Sequence, residues 1–191
     1  MYISEVLFKY LFFKFFYFYL FHPFWFLKWL IIKTKGVNIH PLCRVSPKSS
    51  IYLRDGMLTL GKDSYIHDYV IIDTLDGIIE IEDNVSINPF TVIYGHGGVI
   101  IRSNTRIATS TVIVASNHVF ESKEILIRNQ GVLKKGIVIG NDVWIGANVV
   151  VLDGVDIGNG CVIGASTLIS RDTKEFGVYV GNPAKLIRFR E

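Results

Sequence analysis

The chain has 191 residues, a formal net charge of +3 and a hydrophobic fraction of 50%. This length suits one domain with terminal extensions. The nearly balanced charge and the lack of any run of basic residues argue against a nucleic-acid-binding protein.

The first 36 residues differ in composition from the rest of the chain. Residues 2–29 hold most of the aromatic side chains. Five lysines interrupt or follow them, namely Lys9, Lys14, Lys28, Lys33 and Lys35. The pair His22–Pro23 is expected to break or kink any helix there. The longest stretch without a charged residue, 15–27, is too short to cross a bilayer comfortably, and no signal-peptide cleavage site is recognisable.

Aromatic rings mixed with lysines are typical of a segment at a membrane interface. We therefore predict that residues 1–35 form a helix–proline–helix in contact with the cytoplasmic face of a membrane. One alternative is that the segment 1–36 caps the next domain or packs between subunits. Another is that part of it spans the membrane.

A six-residue repeat runs through positions 37–173. An aliphatic side chain returns at every sixth position in blocks of three, and 15 of the 18 are isoleucine. These anchors are Ile39, Val45, Ile51, Leu60, Ile66, Ile72, Ile81, Ile87, Ile93, Ile101, Ile107, Ile113, Ile139, Ile145, Val151, Ile157, Ile163 and Ile169. A period of six is typical of a β-solenoid whose triangular coil has one hexapeptide on each face. The repeat predicts an all-β parallel β-helix of about six coils.

The residues four positions after the anchors agree with this fold. Fourteen of them are small or β-branched, as a narrow coil interior requires. The exceptions are Asp55, Asp76, Gly97 and Asn117, and each marks an insertion between two blocks. All insertions therefore fall at one corner of the coil, which predicts a functional face there. Cys43 and Cys161 occupy inward positions and are interpreted as core residues rather than disulfide partners or metal ligands.

The longest insertion, residues 115–136, is the first candidate for function, because long loops in compact repeats are usually functional. His118 lies at its root, and a neutral imidazole can remove a proton at neutral pH. His96 occupies the same corner one coil earlier. Two histidines on one edge could indicate a metal site, but the sequence has no pair of histidines five residues apart and no Asp/Glu/His trio in its place, so we predict no metal.

Residues 174–191 follow the last coil. Gly181-Asn182-Pro183 predicts a turn, and residues 184–190 form a short basic tail. Either terminal segment could cap an open end of the solenoid.

Several short motifs lie along the repeat region: Ser86-Ile87-Asn88-Pro89-Phe90, Tyr94-Gly95-His96-Gly97-Gly98, Asn117-His118-Val119-Phe120, Val143-Trp144-Ile145-Gly146-Ala147, Val162-Ile163-Gly164-Ala165-Ser166 and Gly181-Asn182-Pro183-Ala184-Lys185. Together they resemble the hexapeptide-repeat acyltransferases, in particular the maltose/galactoside O-acetyltransferase branch and its relatives acting on bacterial surface polysaccharides. The resemblance covers residues 39–190. It implies a left-handed β-helix, a homotrimer and acetyl-coenzyme A bound in the groove between neighbouring subunits.

The resemblance also implies that His118 is the general base that acts on the acceptor hydroxyl. The coenzyme-binding positions that it implies are Ala147, Ala165, Ser170, Arg171, Lys185 and Arg188. Gly146 provides room where the coenzyme approaches closely, and the basic residues suit its phosphates. The family usually has Gly at position 166 and Thr-Lys at positions 170–171, and these changes preserve size or charge.

Three further residues are candidates for the acceptor site. Asn88 matches an asparagine that contacts the acceptor in the family. His96 is interpreted as a wall of the acceptor pocket or as a turn residue. Trp144 is interpreted as a wall beside the thioester or the sugar, or as an ordinary corner aromatic.

We therefore predict an acetyl-coenzyme A-dependent O-acetyltransferase in the cytoplasm, at the inner face of the membrane. Its acceptor would be a sugar hydroxyl of a surface glycan such as lipopolysaccharide O antigen, capsule or exopolysaccharide. One alternative acceptor is a small diffusible molecule, such as serine, a free sugar, an amino-nucleotide sugar or an antibiotic. The other alternative is a non-catalytic or metal-dependent β-solenoid.

Overall fold

The structure, a computed structural model, describes residues 23–191. The part of the predicted membrane-contacting segment before Pro23 lies outside the described residues. After helix α1 (Pro23–Thr34), short strands follow one another around a triangular coil, and each coil adds one strand to each of three sheets. This architecture is the all-β parallel β-helix of about six coils that the hexapeptide repeat predicts.

Most strands have two to four residues. Those of the first four coils are β1 (Asn38–Ile39), β2 (Arg44–Val45), β3 (Ser50–Tyr52), β4 (Met57–Leu60), β5 (Tyr65–Ile66), β6 (Ile71–Asp73), β7 (Ile78–Ile81), β8 (Ser86–Ile87), β9 (Val92–Tyr94), β10 (Val99–Ile101), β11 (Arg106–Ile107) and β12 (Val112–Val114). The long loop then contains β13 (Asn117–His118), helix α2 (Ile127–Gln130) and β14 (Val132–Leu133). The last two coils and the C-terminal segment contain β15 (Ile137–Ile139), β16 (Trp144–Ile145), β17 (Val150–Val151), β18 (Asp156–Ile157), β19 (Val162–Ile163), β20 (Leu168–Ile169), β21 (Gly177–Val180) and β22 (Lys185–Phe189).

The three parallel sheets run along the prism. The first sheet has the order β1-β4-β7-β10-β15-β18, the second begins β2-β5-β8-β11-β16-β19, and the third is β3-β6-β9-β12-β17-β20. We call the turn from the first to the second sheet the first corner, and the turn from the second to the third sheet the second corner. The third corner leads from the third sheet to the first sheet of the next coil.

The aliphatic anchors stack in register along the prism. Ile39 pairs with Leu60, and Ile101 pairs with Ile139 across the long loop. Every anchor except Ile51 is buried, and so is every predicted inward residue four positions later except Thr173. A fully buried aliphatic side chain stabilises a fold by about 1.5–3 kcal/mol. The repeat therefore supplies most of the core.

The first sheet contributes a further row of core side chains. Its buried residues two positions before the anchors are Val37, Leu58, Ile79, Val99, Ile137 and Val155. They point inward because alternate residues of an extended strand face the same side. In the other two sheets the position two residues before each anchor holds the small or β-branched inward residues described above, such as Cys43 and Thr111, so the first sheet differs in carrying larger aliphatic side chains there.

Helix α1 covers the open end of the first coil. Within the described residues it begins at Pro23, a residue that the first helical turn accommodates. The break predicted at His22–Pro23 depends on residues outside the described part of the chain. Trp29 and Ile32 are buried, and Lys28 Nζ donates a hydrogen bond to Ser49 O at 2.8 Å. Within residues 23–191, no helix has the length and hydropathy needed to cross a membrane.

The C-terminal segment is a β-hairpin that closes the other end of the prism. Strand β21 pairs in parallel with β19, and β22 returns antiparallel to β21. The turn predicted at Gly181-Asn182-Pro183 joins the two strands. The predicted basic tail is thus the outer strand of the second sheet, because an extended chain satisfies the open edge left by the last coil.

Candidate active site

All four insertions lie at the third corner, as the repeat predicts. Residues 53–56, 74–77 and 95–98 form short turns there, and residues 115–136 form the long loop. Gly97 N–H donates to Ala115 O at 2.7 Å. A Cβ atom on Gly97 would lie 2.6 Å from Ala115 O and 2.7 Å from Gly136 N. Only glycine therefore fits between the outgoing and returning limbs of the loop.

The long loop is a small ordered lobe. Strands β13 and β14 form an antiparallel pair at its root, with Asn117 opposite Leu133 and His118 opposite Val132. The amide nitrogen of Gln130 donates to the carbonyl oxygens of Ser122 and Ile125, both at 2.7 Å. These bonds fold the outer part of the loop onto helix α2. The loop can therefore hold His118 in a defined position.

His118 is exposed on this two-stranded stalk. Among residues 23–191, neither a side chain nor a backbone group is hydrogen-bonded to its ring. Both imidazole nitrogens are consequently available to a bound molecule. A neutral imidazole in this setting can accept a proton from a hydroxyl or an amine near neutral pH.

His96 belongs to a charged cluster beside the root of the loop. His96 Nε2 lies 3.2 Å from Asp76 Oδ1, and Lys134 Nζ contacts the other carboxylate oxygen of Asp76. The hydrogen bond from Lys134 is the main cause that holds the pKa of Asp76 below its ordinary value, and the positive charges of Lys134 and His96 add to it. The cluster ties two successive turns of the third corner to the returning limb of the loop.

The predicted coenzyme-binding residues divide between two edges of the prism. Gly146, Ala147 and Ala165 lie at the second corner, after strands β16 and β19. Ser170 and Arg171 follow β20 at the third corner, which also carries His118 and His96. One chain therefore does not bring the proposed base together with the residues at the second corner.

Gly146 is required by the neighbouring coil. A Cβ atom there would lie 2.6 Å from Ala165 N and 2.9 Å from Ile163 O. The missing side chain therefore permits close stacking of coils, a reason separate from the predicted approach of the coenzyme. Any larger residue would push the fifth coil away from the sixth.

The candidate acceptor-binding residues other than His96 also lie away from the third corner. Asn88 is at the second corner, where its Nδ2 donates to Ile107 O at 2.8 Å. Its side-chain oxygen remains an available acceptor, since a primary amide carries both groups. Trp144 lies on the outer face of the second sheet, with 58% of its surface exposed.

The basic residues of the C-terminal hairpin have different surroundings. Lys185 and Arg188 are exposed on β22, and Lys185 stands opposite Val180 next to the turn. Arg190 instead binds the prism, donating to Asp142 Oδ2 at 3.0 Å and to Gly160 O at 2.9 Å. Lys185 and Arg188 are thus free to meet a ligand, whereas Arg190 fastens the hairpin.

Comparison with known proteins identifies the family. Residues 136–171 match the model described as bacterial transferase hexapeptide (six repeats). The chain is 31% identical over 169 residues to the dTDP-4-amino-4,6-dideoxy-D-glucose acyltransferase of Escherichia coli, and the match covers 86% of this chain and 85% of that enzyme. The chain belongs to the hexapeptide-repeat acyltransferases. A second relative in this family is Escherichia coli WbbJ, named as a putative O-acetyl transferase of lipopolysaccharide biosynthesis, with 31% identity over 154 residues, 76% of this chain and 79% of WbbJ.

Two further similarities extend the comparison. A probable acetyltransferase of Mycobacterium tuberculosis is 27% identical over 179 residues, and the match spans 87% of this chain but 58% of that protein's length. Among solved structures, a point mutant of the N-acyltransferase AntD from Bacillus cereus superposes with a TM-score of 0.74 at 25% identity, covering 84% of this chain and 88% of AntD. That AntD structure contains dTDP-4-amino-4,6-dideoxyglucose and coenzyme A.

Asp76 and Lys134 are site residues that sequence reasoning did not single out. They contact each other although they are 58 positions apart. One signal in the sequence pointed to Asp76, because it interrupts the row of small inward residues at the corner that also carries His96. Nothing in the repeat pattern of this hexapeptide-repeat acyltransferase identifies Lys134, which lies inside the insertion.

Neither a candidate metal cluster nor an exposed cysteine occurs among residues 23–191. Residues 23–191 contain no cluster of three His, Cys, Asp or Glu side chains suited to a metal ion. Cys43 and Cys161 are both buried in the coil interior. Burial raises the pKa of the Cys43 thiol above its ordinary value, so this thiol stays protonated.

Proposed function

We propose that this hexapeptide-repeat acyltransferase is an acetyl-coenzyme A-dependent O-acetyltransferase that acts as a homotrimer on a sugar of a bacterial surface glycan. The observation that carries the proposal is the division of the site between two edges. His118 lies at the third corner, whereas Gly146, Ala147 and Ala165 lie at the second. A neighbouring copy whose second corner faces this third corner would complete the site in the groove between the two prisms.

The exposed cations fit the coenzyme in such a groove. Arg171 and Lys185 form no ion pair among residues 23–191, and Arg188 makes only a local bond to Phe189 O. Free guanidinium and ammonium groups suit the phosphates of coenzyme A. When bound, acetyl-coenzyme A supplies the acetyl thioester. The backbone around Ala147 and Ala165, at the second corner, offers a smooth edge for the pantetheine arm.

His118 would perform the proton transfers. Its imidazole accepts the proton of the acceptor hydroxyl while that oxygen bonds to the acetyl carbon, and it returns the proton to the departing sulfur. The products are then the acetylated sugar and coenzyme A. An acyl-enzyme on cysteine is not needed, and Cys43 and Cys161 are both buried away from the groove.

The relatives support two different classes of acceptor, a sugar hydroxyl and the amino group of a nucleotide-linked sugar. The name of WbbJ supports an O-acetyl acceptor in lipopolysaccharide biosynthesis. The second candidate is acyl transfer to the amino group of a nucleotide-linked sugar, which the Escherichia coli dTDP-sugar enzyme and AntD favour. Both acceptors need a base near neutral pH, so His118 serves either reaction.

We further propose that residues 1–35 place the enzyme at the cytoplasmic face of the membrane. In helix α1, Trp29 and Ile32 belong to the buried core, and Trp25 packs against the Tyr65 ring. The opposite side exposes Phe24, Leu27, Leu30 and Ile31. Partial immersion of these side chains would be favourable, and each lysine near an anionic surface adds about 1 kcal/mol.

The test compares the two acceptor classes directly. Surface polysaccharide from a strain lacking the protein should lose O-acetyl groups by mass spectrometry. The wild-type chain should restore them, and His118→Ala should not. Unchanged polysaccharide, together with transfer to dTDP-4-amino-4,6-dideoxyglucose by the purified chain, would establish the second candidate instead.

A further inference from the structure

Two aromatic rings form an exposed stack on the second corner. Tyr69 and Phe90 occupy equivalent positions on the second and third coils, and their ring centroids are 5.2 Å apart with an interplanar angle of 8°. Tyr69 is 49% exposed and Phe90 is 57% exposed. Phe90 lies two residues after Asn88, which is the candidate acceptor-binding residue at this corner. The stack therefore borders the groove in which the proposed transfer takes place.

The backbone at these positions does not favour aromatic residues. Tyr69 and Phe90 have φ angles of 60° and 64°, in the left-handed region. Bulky residues are rare in this region, whereas asparagine and other small polar residues are tolerated. The equivalent positions on the next three coils are Ser110, Asn148 and Ser166, all with φ near 58°. Two bulky rings with left-handed φ on successive coils, both about half exposed, make this corner a candidate binding surface.

The stack is closed on one side and open on the other. Lys48 Nζ lies 5.5 Å from the centroid of the Tyr69 ring. On the other side, the next position along the corner is Ser110, whose N–H donates to Pro89 O at 3.0 Å. Its small side chain leaves space next to the Phe90 ring. Coils repeat at about 4.8 Å, so a ring-shaped ligand above Ser110 would continue the stack at the same spacing.

The charges nearby favour a neutral ligand over a phosphorylated one. The cations on the second sheet and second corner of coils one to four are Arg44, Lys48 and Arg106. Arg44 lies over the Tyr65 ring at 4.6 Å, and Lys48 pairs with Asp68 at 3.2 Å. Arg106 donates to Asn84 Oδ1 at 2.9 Å. Each cation is thus already engaged within the chain, which leaves none positioned for a diphosphate.

We propose that Tyr69, Phe90 and the space over Ser110 form a stacking subsite for a neutral sugar residue of the acceptor. The C–H groups on one face of a pyranose are attracted to the negative face of an aromatic ring. Asn88 Oδ1 and the Ser110 hydroxyl can bind the sugar hydroxyls at its rim. The proposal rests on the proposed function and narrows it, since a second sugar-binding position suits an oligosaccharide acceptor better than a single sugar.

The test uses the full chain on a microarray of bacterial surface oligosaccharides, with Phe90→Ala and Tyr69→Ala. The wild type should bind a subset of neutral oligosaccharides, and each variant should bind them about 10-fold more weakly, the loss expected for one stacking contact. Tyr52→Ala is the matched control, because Tyr52 is 50% exposed but lies outside the stack. This control should bind as the wild type does.

Several results would overturn the subsite. The proposal would be wrong if the wild type bound no neutral saccharide, or if Phe90→Ala bound the saccharides as tightly as the wild type does. It would also be wrong if calorimetry showed that dTDP binding depends on Phe90, because the ring would then bind a nucleotide. Loss of the trimer by Phe90→Ala, measured by light scattering, would give the ring a role in assembly instead. Acetyl-transfer assays distinguish a failure of the saccharide subsite from a failure of the proposed acetyltransferase function. Phe90-dependent glycan binding without transfer to any sugar would contradict the function and leave the subsite standing.

Discussion

Asp76 Oδ1 lies 3.2 Å from His96 Nε2, and the same carboxylate binds Lys134 through its other oxygen. Asp76 and His96 stand on successive turns of the third corner, and Lys134 lies near the end of the limb that returns from the long loop. One carboxylate thus connects a candidate wall of the acceptor pocket to the loop that carries His118. We expect the Asp76 carboxylate to stabilise the loop and to make the stability of the protein depend on pH.

The first prediction concerns Asp76→Asn. Because the pKa of Asp76 is lowered in the folded protein, its ionised form stabilises the fold at neutral pH. This contribution is lost as the pH falls below the ordinary carboxyl value of about 3.9 and through the lower folded pKa. The Tm of Asp76→Asn should therefore be below that of the wild type at pH 7, and the gap should narrow below about pH 4.

Asp55→Asn provides the control for this series. Asp55 interrupts the inward row at the same corner, but no ion pair involves it among residues 23–191. Its Tm should follow the wild type at every pH. If Asp76→Asn were as stable as the wild type at pH 7, the cluster would carry no stabilising charge interaction.

The second prediction concerns the base. His118→Ala should lower kcat by roughly 100-fold or more, the usual scale for loss of a general base. Folding and coenzyme A binding should hardly change, because the ring has no hydrogen bond among residues 23–191. Steady-state kinetics, calorimetry and light scattering measure the three quantities. His96→Ala should cost less and act mainly on the KM of the acceptor. Near-normal turnover by His118→Ala would contradict the mechanism.

The sequence predicts the solenoid well because its core follows a simple local rule. An aliphatic residue such as Ile101 must return at each sixth position, and the insertion that separates it from its partner Ile139 does not change the pairing. The corner that carries the insertions follows from the same count. The spacing of the repeats alone therefore places His118 at the root of the long loop.

Contacts between distant segments escape this rule. The bond between Lys134 and Asp76 depends on how the loop folds back, which no repeat spacing specifies. The charge of Arg190 resembles that of Lys185 and Arg188 in the sequence, yet only Arg190 is bound to the prism. Helix α1 is apolar on two sides, and composition alone does not tell which side the first coil covers.

The third prediction separates these C-terminal cations. Lys185→Ala with Arg188→Ala should raise the KM for acetyl-coenzyme A and weaken its salt dependence, because phosphate pairing is largely electrostatic. The KM of the acceptor should hardly move. Arg190→Ala is the matched control, since loss of its bonds to Asp142 and Gly160 should lower Tm rather than coenzyme affinity. Equal weakening of donor and acceptor by the double variant would indicate a structural role for the hairpin.

The last prediction separates the two sides of helix α1. Leu27 and Ile31 lie one turn apart on the exposed side, whereas Trp29 is buried against the first coil. Leu27→Ser with Ile31→Ser should reduce co-sedimentation of the full chain with anionic vesicles and leave Tm nearly unchanged. Trp29→Ala should instead lower the free energy of unfolding by about 3 kcal/mol, since it leaves a cavity under the helix. Thermal denaturation and vesicle sedimentation at two salt concentrations measure both effects. If the wild-type chain did not co-sediment with anionic vesicles, the membrane proposal would be wrong. Helix α1 would then serve only to cap the first coil.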